Sequence, residues 1–195
     1  MIYYISDMHF EHNNVIRYDN RPFDTITQMD EVLINNWNAR ISDKDTVYVL
    51  GDAFFKGEER SLEILRQLKG RKHLIKGNHD RVKGRLGQEW ESIQNYAEIT
   101  DGEYFVVMSH YPMMFYNRQH YGAVMLYGHV HNTREWKLIE KWRQELRRMD
   151  ISAQIINVGC MMDYMNYTPR TLEELLRADI EKQDRENTTN EQDNH

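Results

Sequence analysis

The sequence predicts an α/β fold built on a parallel sheet. Two observations carry this. Short apolar runs rich in β-branched residues alternate with segments of helical period over the first 76 residues, strand, helix, strand, helix, strand. The 195 residues, 40% of them hydrophobic, suit one domain with a sizeable core.

Ile2–Ser6 reads as the first strand and ends in Asp7-Met8-His9. Residues i and i+2 point the same way from an extended backbone, so Asp7 and His9 can face one site. Residues 10–22 read as a loop with one helical turn around Asn13–Arg17. His12, Asn14, Arg17 and Arg21 follow the first pair closely and could meet a substrate, although solvated loop positions are the simpler reading. Met29, Val32, Leu33, Trp37 and Ile41 mark an amphipathic helix over Thr27–Ile41, with Asp24 or Thr25 as its cap.

Thr46–Leu50 is a second buried strand and ends in Gly51-Asp52. Leu62, Leu65 and Leu68 lie at helical spacing before Gly70. A third strand at His73–Lys76 runs into Gly77-Asn78-His79-Asp80. Residues 81–95 look irregular. Ala97–Thr100 and Glu103–Met108 flank Asp101-Gly102, a hairpin signal, and the second of these strands ends in Ser109-His110. Ala123–Tyr127 ends in Gly128-His129-Val130-His131. Trp136, Ile139, Trp142, Leu146 and Met149 give a helix over Thr133–Met149, which could close over the site or pair with a second copy, core packing being the simpler reading. Gln154–Val158 is the last strand. Thr171 and Glu174 form a capping box for a helix over Leu172–Ile180.

Residues 181–195 carry five acids against two bases, half of the net charge of −6, and lack apolar periodicity. They read as a disordered acidic tail after a domain spanning residues 1–180. No basic stripe marks a nucleic-acid binder, and no apolar run is long enough for a membrane span. A single cysteine, Cys160, and the lack of a basic, apolar leader point to a cytoplasmic protein.

Five strand ends therefore carry Asp7, His9, Asp52, Asn78, His79, His110, His129 and His131. Four of these histidines, two aspartates and one asparagine make seven ligands, enough for two cations if one aspartate bridges. Imidazole-rich sites without thiolate suit manganese, iron, cobalt or zinc better than magnesium. Two divalent ions against two carboxylates leave net positive charge, which attracts a phosphate. His79 can exchange a proton near neutral pH. Asp80 beside it could fix the ring's tautomer and raise its basicity.

Asp7-x-His9, Gly51-Asp52, Gly77-Asn78-His79-Asp80, Ser109-His110 and Gly128-His129-x-His131 occur in the order found in calcineurin-like metallophosphoesterases, which the chain resembles from residue 2 to about 180. The resemblance implies a four-layer αββα sandwich of two mixed β-sheets flanked by helices. It implies one metal at Asp7, His9 and His131, another at Asn78, His110 and His129, and Asp52 bridging. Manganese is the leading expectation, with iron, zinc, cobalt or nickel as alternatives.

The catalytic pair would be His79, as acid toward the leaving group, and Asp80 behind it. The implied activity is hydrolysis of a small phosphodiester or phosphomonoester, a nucleotide among the candidates, by a metal-activated hydroxide. A non-catalytic scaffold like the retromer subunit of the same fold is the alternative. Many members carry an arginine shortly after the bridging aspartate. Here the run is Ala53-Phe54-Phe55-Lys56, and Lys56 is the candidate substitute.

Overall fold

A computed structural model describes residues 1–55 and 57–192, with side-chain surroundings through residue 185. Lys56 therefore lies outside the described residues. Four strands, β1 (Ile2–Ile5), β2 (Thr46–Val49), β3 (Arg71–Ile75) and β4 (Ser92–Gln94), form one sheet in that order, all parallel. A single antiparallel bridge joins Tyr4 to Arg170 beside it. A second sheet holds β5 (Tyr96–Asp101), β6 (Tyr104–Ser109), β7 (Val124–Tyr127) and β8 (Ile155–Asn157). It is mixed: β5 and β6 form the expected hairpin, and the other pairs are parallel. The result is an α/β architecture of two four-stranded sheets flanked by helices.

Side-chain alternation explains how the sheets are covered. Val106, Met108, Val124, Leu126 and Ile156 share a core with Ile5, Val49 and Leu74 of the first sheet. Their neighbours Val107, Met125, Tyr127 and Ile155 turn the other way, onto a second cluster. In the first sheet the register sets Tyr4, Tyr48 and His73 side by side as a stacked row. The Tyr4 hydroxyl crosses to the second sheet and donates to Asp101 Oδ2 at 2.8 Å.

Among the helices, α1 (Val15–Tyr18) is the single turn expected in the first loop. In α2 (Ile26–Arg40), Met29, Leu33 and Trp37 are buried, and Thr25 caps it by accepting from Gln28 N. Leu62, Ile64 and Leu65 of α3 (Glu58–Gln67) join the same core.

Residues 81–95 are more regular than the sequence suggests, containing α4 (Gly84–Gln88) and β4. With two glycines in α4 and one apolar residue in β4, neither has a periodic signal. Glu58 Oε1 accepts from the backbone of Arg85 at the start of α4, and pairing with β3 defines β4.

The later helices are α5 (Arg134–Arg148) and α6 (Leu172–Gln192). Ile139 and Leu146 of α5 pack on the outer cluster of the second sheet, so this helix is core-packed. Arg143 is buried beside them and donates to both carboxylate oxygens of Asp179 on α6 at 2.7 Å.

The capping box forms as expected, Glu174 accepting from Thr171 N at 2.9 Å. The tail, however, does not begin as coil at residue 181, because α6 continues to Gln192. Glu, Lys, Gln and Arg are good helix formers. Lys182 lies 4.5 Å from the Trp136 ring and pairs with Glu140, while Gln183 donates to Asp179. The rest of the expected tail, residues 193–195, lies outside the described residues.

Candidate metal centre

The C-terminal ends of β1, β2 and β3 from one sheet meet those of β6 and β7 from the other. Each end delivers one polar cluster: Asp7 and His9, Asp52, Asn78 and His79, His110, then His129 and His131. The backbone achieves this in a way the strand pattern did not suggest. Asp7, His9, Asp52, His129 and His131 all have positive φ, between 49° and 70°. The chain thus leaves the extended conformation after β1, β2 and β7, and Asp7 and His9 reach one site through left-handed turns, not strand alternation. Such residues cost of order 1 kcal/mol each and persist where surrounding structure holds them.

Two glycines make the approach close enough. A Cβ on Gly77 would sit 2.2 Å from Asp52 Oδ1, and one on Gly128 would sit 2.5 Å from Asp7 Oδ2.

Asp7, His9 and His131 form one group of candidate ligands, and Asp52, His110 and His129 a second, each with atoms within 4.8 Å of one another. Asp52 Oδ2 connects them, lying 3.7 Å from His9 Nε2 and 3.6 Å from His110 Nε2. Asn78 Oδ1 joins the second group at 3.1 Å from His110 Nε2. The donor set fits a cation. His110 Nδ1 donates to Leu50 O at 2.8 Å, which leaves a lone pair on Nε2. That lone pair faces the Asn78 carbonyl and the Asp52 carboxylate, acceptor against acceptors, an arrangement that a positive ion relieves.

The electrostatics agree. Burial pushes the His9 imidazole down to about 2. Burial works against charge on His131 too, but its hydrogen bonds to Asp19 and Asp7 win and raise it to about 10. A proton on His131 thus holds positive charge between the two carboxylates, where a ligated ion would hold it. Burial opposes charge on Asp7 as well, and the hydrogen bond to His131 and that ring's charge outweigh it, keeping the group below the usual carboxylate range.

Residues outside the strand ends hold the candidate ligands in place. Asp19 Oδ1 accepts from His131 Nδ1 at 2.7 Å, aiming Nε2 inward. Arg21, named above as able to meet a substrate, is instead buried beneath the site. Its guanidinium donates to Asp7 O at 2.8 Å, Met8 O at 3.0 Å and Asp19 Oδ2 at 2.9 Å. Sequence reasoning missed Asp19, which belongs to no motif. Two residues from Arg21, it carried no signal beyond being a carboxylate in a loop rich in polar groups.

Asp80 also has a different partner from the one expected. Its carboxylate accepts from the backbone of Gly77 at 2.8 Å, Asp52 at 2.8 Å and Ala53 at 3.0 Å, and makes no hydrogen bond to the His79 ring. It ties the β3 end to the β2 end. His79 is held by its own backbone N–H, which donates to Asp52 Oδ1 at 2.9 Å.

The site opens into a cleft of about 630 Å³ walled by His9, Asp52, Asn78, His129 and His131 on one side and by His12, Asn14, Tyr18 and Phe55 on the other. The His12 and Phe55 rings stack at 3.6 Å. The His79 side chain is 44% exposed and its Nε2 lies 4.0 Å from Asp52 Oδ2, whereas those of His9 and His110 are 3% and 1% exposed. His79 is thus far more open to an incoming molecule than His9 or His110.

A family model described as the calcineurin-like phosphoesterase superfamily domain matches residues 1–182. The chain belongs to this superfamily. Its metal-dependent chemistry accords with the two His/Asp groups. An uncharacterised protein of Methanocaldococcus jannaschii is 34% identical over 160 residues, covering 80% of this chain and 83% of that protein. The gene 66 protein of Mycobacterium phage L5 is 25% identical, covering 67% and 77%. A solved structure, a protein of unknown function from Aquifex aeolicus, shares the fold with a TM-score of 0.70 and 27% identity, over 91% of this chain and 98% of that one. Among the described residues no helix is long and apolar enough to cross a membrane.

Proposed function

We propose that the protein hydrolyses a small phosphoester, a phosphodiester in preference to a monoester, with two divalent ions at the strand ends. Asp7, His9 and His131 would hold one ion, Asn78, His110 and His129 the other, and Asp52 would serve both. The observation that carries this reading is the position of Asp52 Oδ2, within 3.7 Å of a histidine from each group. When bound, such ions supply Lewis acidity and lower the pKa of water, which suits in-line displacement at phosphorus. Manganese is the first metal to try, with iron, zinc, cobalt and nickel next.

The protein's own residues do the rest. Asp19 and the Leu50 carbonyl fix the tautomers of His131 and His110, so that each presents Nε2 to the site. Arg21 keeps the Asp7 backbone in its left-handed turn. His79 stands at the cleft wall, exposed enough to reach a leaving oxygen and donate a proton to it. A scaffold that only binds a partner has no use for this exposed imidazole beside a complete ligand set.

The deciding experiment is a panel of phosphodiesters and monoesters offered to protein loaded with Mn²⁺, with metal content measured. The reading expects release of alcohol from at least one diester class, lost on chelation and restored by metal. Folded protein carrying two ions per chain and inert toward the whole panel would overturn it.

A further inference from the structure

Beside the metal cleft lies a larger cavity, about 1100 Å³. The two share Phe55, Asn78 and His79 as walls. A group that departs past His79 therefore faces this second cavity. Its lining includes three cations, Lys76 just after β3 and Arg81 and Lys83 in the loop before α4.

These three cations are exposed, and among the described residues none has an acidic partner. The contrast with nearby basic residues is sharp. Arg60 pairs with Glu63, Arg66 with Glu89 and Arg85 with Glu59. The acids on the cavity wall are committed elsewhere. Glu58 Oε1 accepts from Arg85 N and Leu86 N, and the Asp80 carboxylate accepts from three backbone N–H groups. Set against the Glu58 and Asp80 carboxylates, the three cations leave the cavity lining net positive, which raises the local concentration of anions. Phe55, 38% exposed, offers a flat apolar surface where the two cavities join.

One phosphate is already accounted for by the metal cleft, so the second cavity calls for a second anion. We propose that it receives the leaving arm of a phosphodiester and that this arm carries a phosphate of its own, as a nucleoside phosphate does. The inference rests on the phosphoesterase reading and narrows its substrate class. In the reaction the oxygen of one water forms a bond to phosphorus and the P–O bond to the arm breaks. The departing oxygen takes one proton, while the other proton of water stays on the monoester or passes to solvent. The phosphate already on the arm is unchanged.

The test compares an adenosine dinucleotide without terminal phosphate against the same dinucleotide phosphorylated at its 5′ or 3′ end. Wild type is set against the triple variant Lys76→Gln, Arg81→Gln, Lys83→Gln. Wild type should favour one phosphorylated form by about 10-fold in kcat/KM, the scale of three exposed charge contacts. The preference should shrink as salt is raised. In the variant the ratio should fall to about 1, whatever the absolute rate. In parallel, chelated, metal-free protein should bind adenosine 3′,5′-bisphosphate about 10-fold more weakly in the variant by calorimetry.

Equal rates of wild type on all dinucleotides, or a preference that survives in the variant, would overturn the cavity assignment and leave the phosphoesterase reading standing. Failure to hydrolyse these dinucleotides and every other diester and monoester offered would overturn the phosphoesterase reading, and with it the leaving-arm role. Unchanged bisphosphate affinity in that case would remove the cavity as an anion site too.

Discussion

The His79 backbone N–H donates to Asp52 Oδ1, but the tasks proposed for the two residues differ, and single substitutions would separate them. A proton from His79 matters in proportion to how basic the leaving oxygen is. General acid help is worth about 10²–10⁴-fold when an alkoxide departs, and far less for a nitrophenolate. His79→Asn should therefore lose much more kcat/KM on alkyl diesters than on nitrophenyl diesters, with metal content unchanged. Equal losses on both would assign the ring to positioning or charging the phosphate.

A second residue carries a pH signature away from the metal centre. Burial, with the nearby Glu11 charge adding to it, pushes Asp30 up to about 6, although the Glu11 backbone N–H donates to its carboxylate and opposes the shift. For an acid with a raised folded pKa the sign is clear. Below the unfolded value near 4 both states are protonated and nothing is lost. Between about 4 and 6 the unfolded state ionises first, and above 6 the full penalty stands. Asp30→Asn should then raise stability above pH 6 by about 1–2 kcal/mol, allowing for solvent screening, and leave it unchanged below pH 4. Denaturant melts at pH 3.5 and 7.5 check this, and a gain of equal size at both would rule out the charge as its source.

At the scale of elements, α5 and α6 are joined by a buried charge pair, not by apolar packing alone. Arg143 is fully engaged by Asp179, by Glu140 and by the Ala153 carbonyl. The charge of Asp179 and then Glu140 holds the guanidinium above its ordinary pKa despite burial. Removing one member of such a pair strands the other in low dielectric, which costs about 3–5 kcal/mol. Asp179→Ala should destabilise by that order. The double variant Arg143→Met, Asp179→Leu should recover most of the loss, because both buried charges are gone and Glu140 keeps its pair with Lys182. A double variant as unstable as the single one would mean that the pair contributes more than its own desolvation removes.

The strained turns at the strand ends show what such local contacts support. Gly77 and Gly128 let one strand end reach within hydrogen-bonding range of another, and Asp80 and Arg21 then hold those ends by their backbone groups.

For the whole molecule, the centre lies where the two sheets converge, so ions bound there would link the sheets. A ligand that binds only the folded state adds about 2.7 kcal/mol at 100 times its Kd. Chelation should accordingly lower the melting temperature of the loaded protein by several degrees. Asp52→Ala, which removes the carboxylate proposed to serve both ions, should lower the ion content at both positions and abolish the response to chelator. Two tightly held ions per chain in that variant would refute the shared role of Asp52.

Local period and residue type were enough to determine most elements and every polar cluster at a strand end. A strand or helix writes its own repeat into consecutive residues, as Thr46–Val49 and Met29, Leu33 and Trp37 do. The stop after each strand is equally local, because glycine and Asp/Asn/His mark it.

Tertiary structure alone decided the rest. The parallel pairing of β4 with β3 needed a neighbour that three residues cannot encode. Along 181–192 the helical propensity is local, but only the fold supplies Glu140 and Trp136 of α5 as partners for Lys182. The left-handed turns at Asp7 and His9 depend on backbone bonds to Gly51 and Asp52, more than 40 residues away. Arg21 and Asp80 proved to be structural ties, and Asp19 an orienting partner, because their roles lie in contacts with distant backbone and rings. Only a chain already folded brings those groups together.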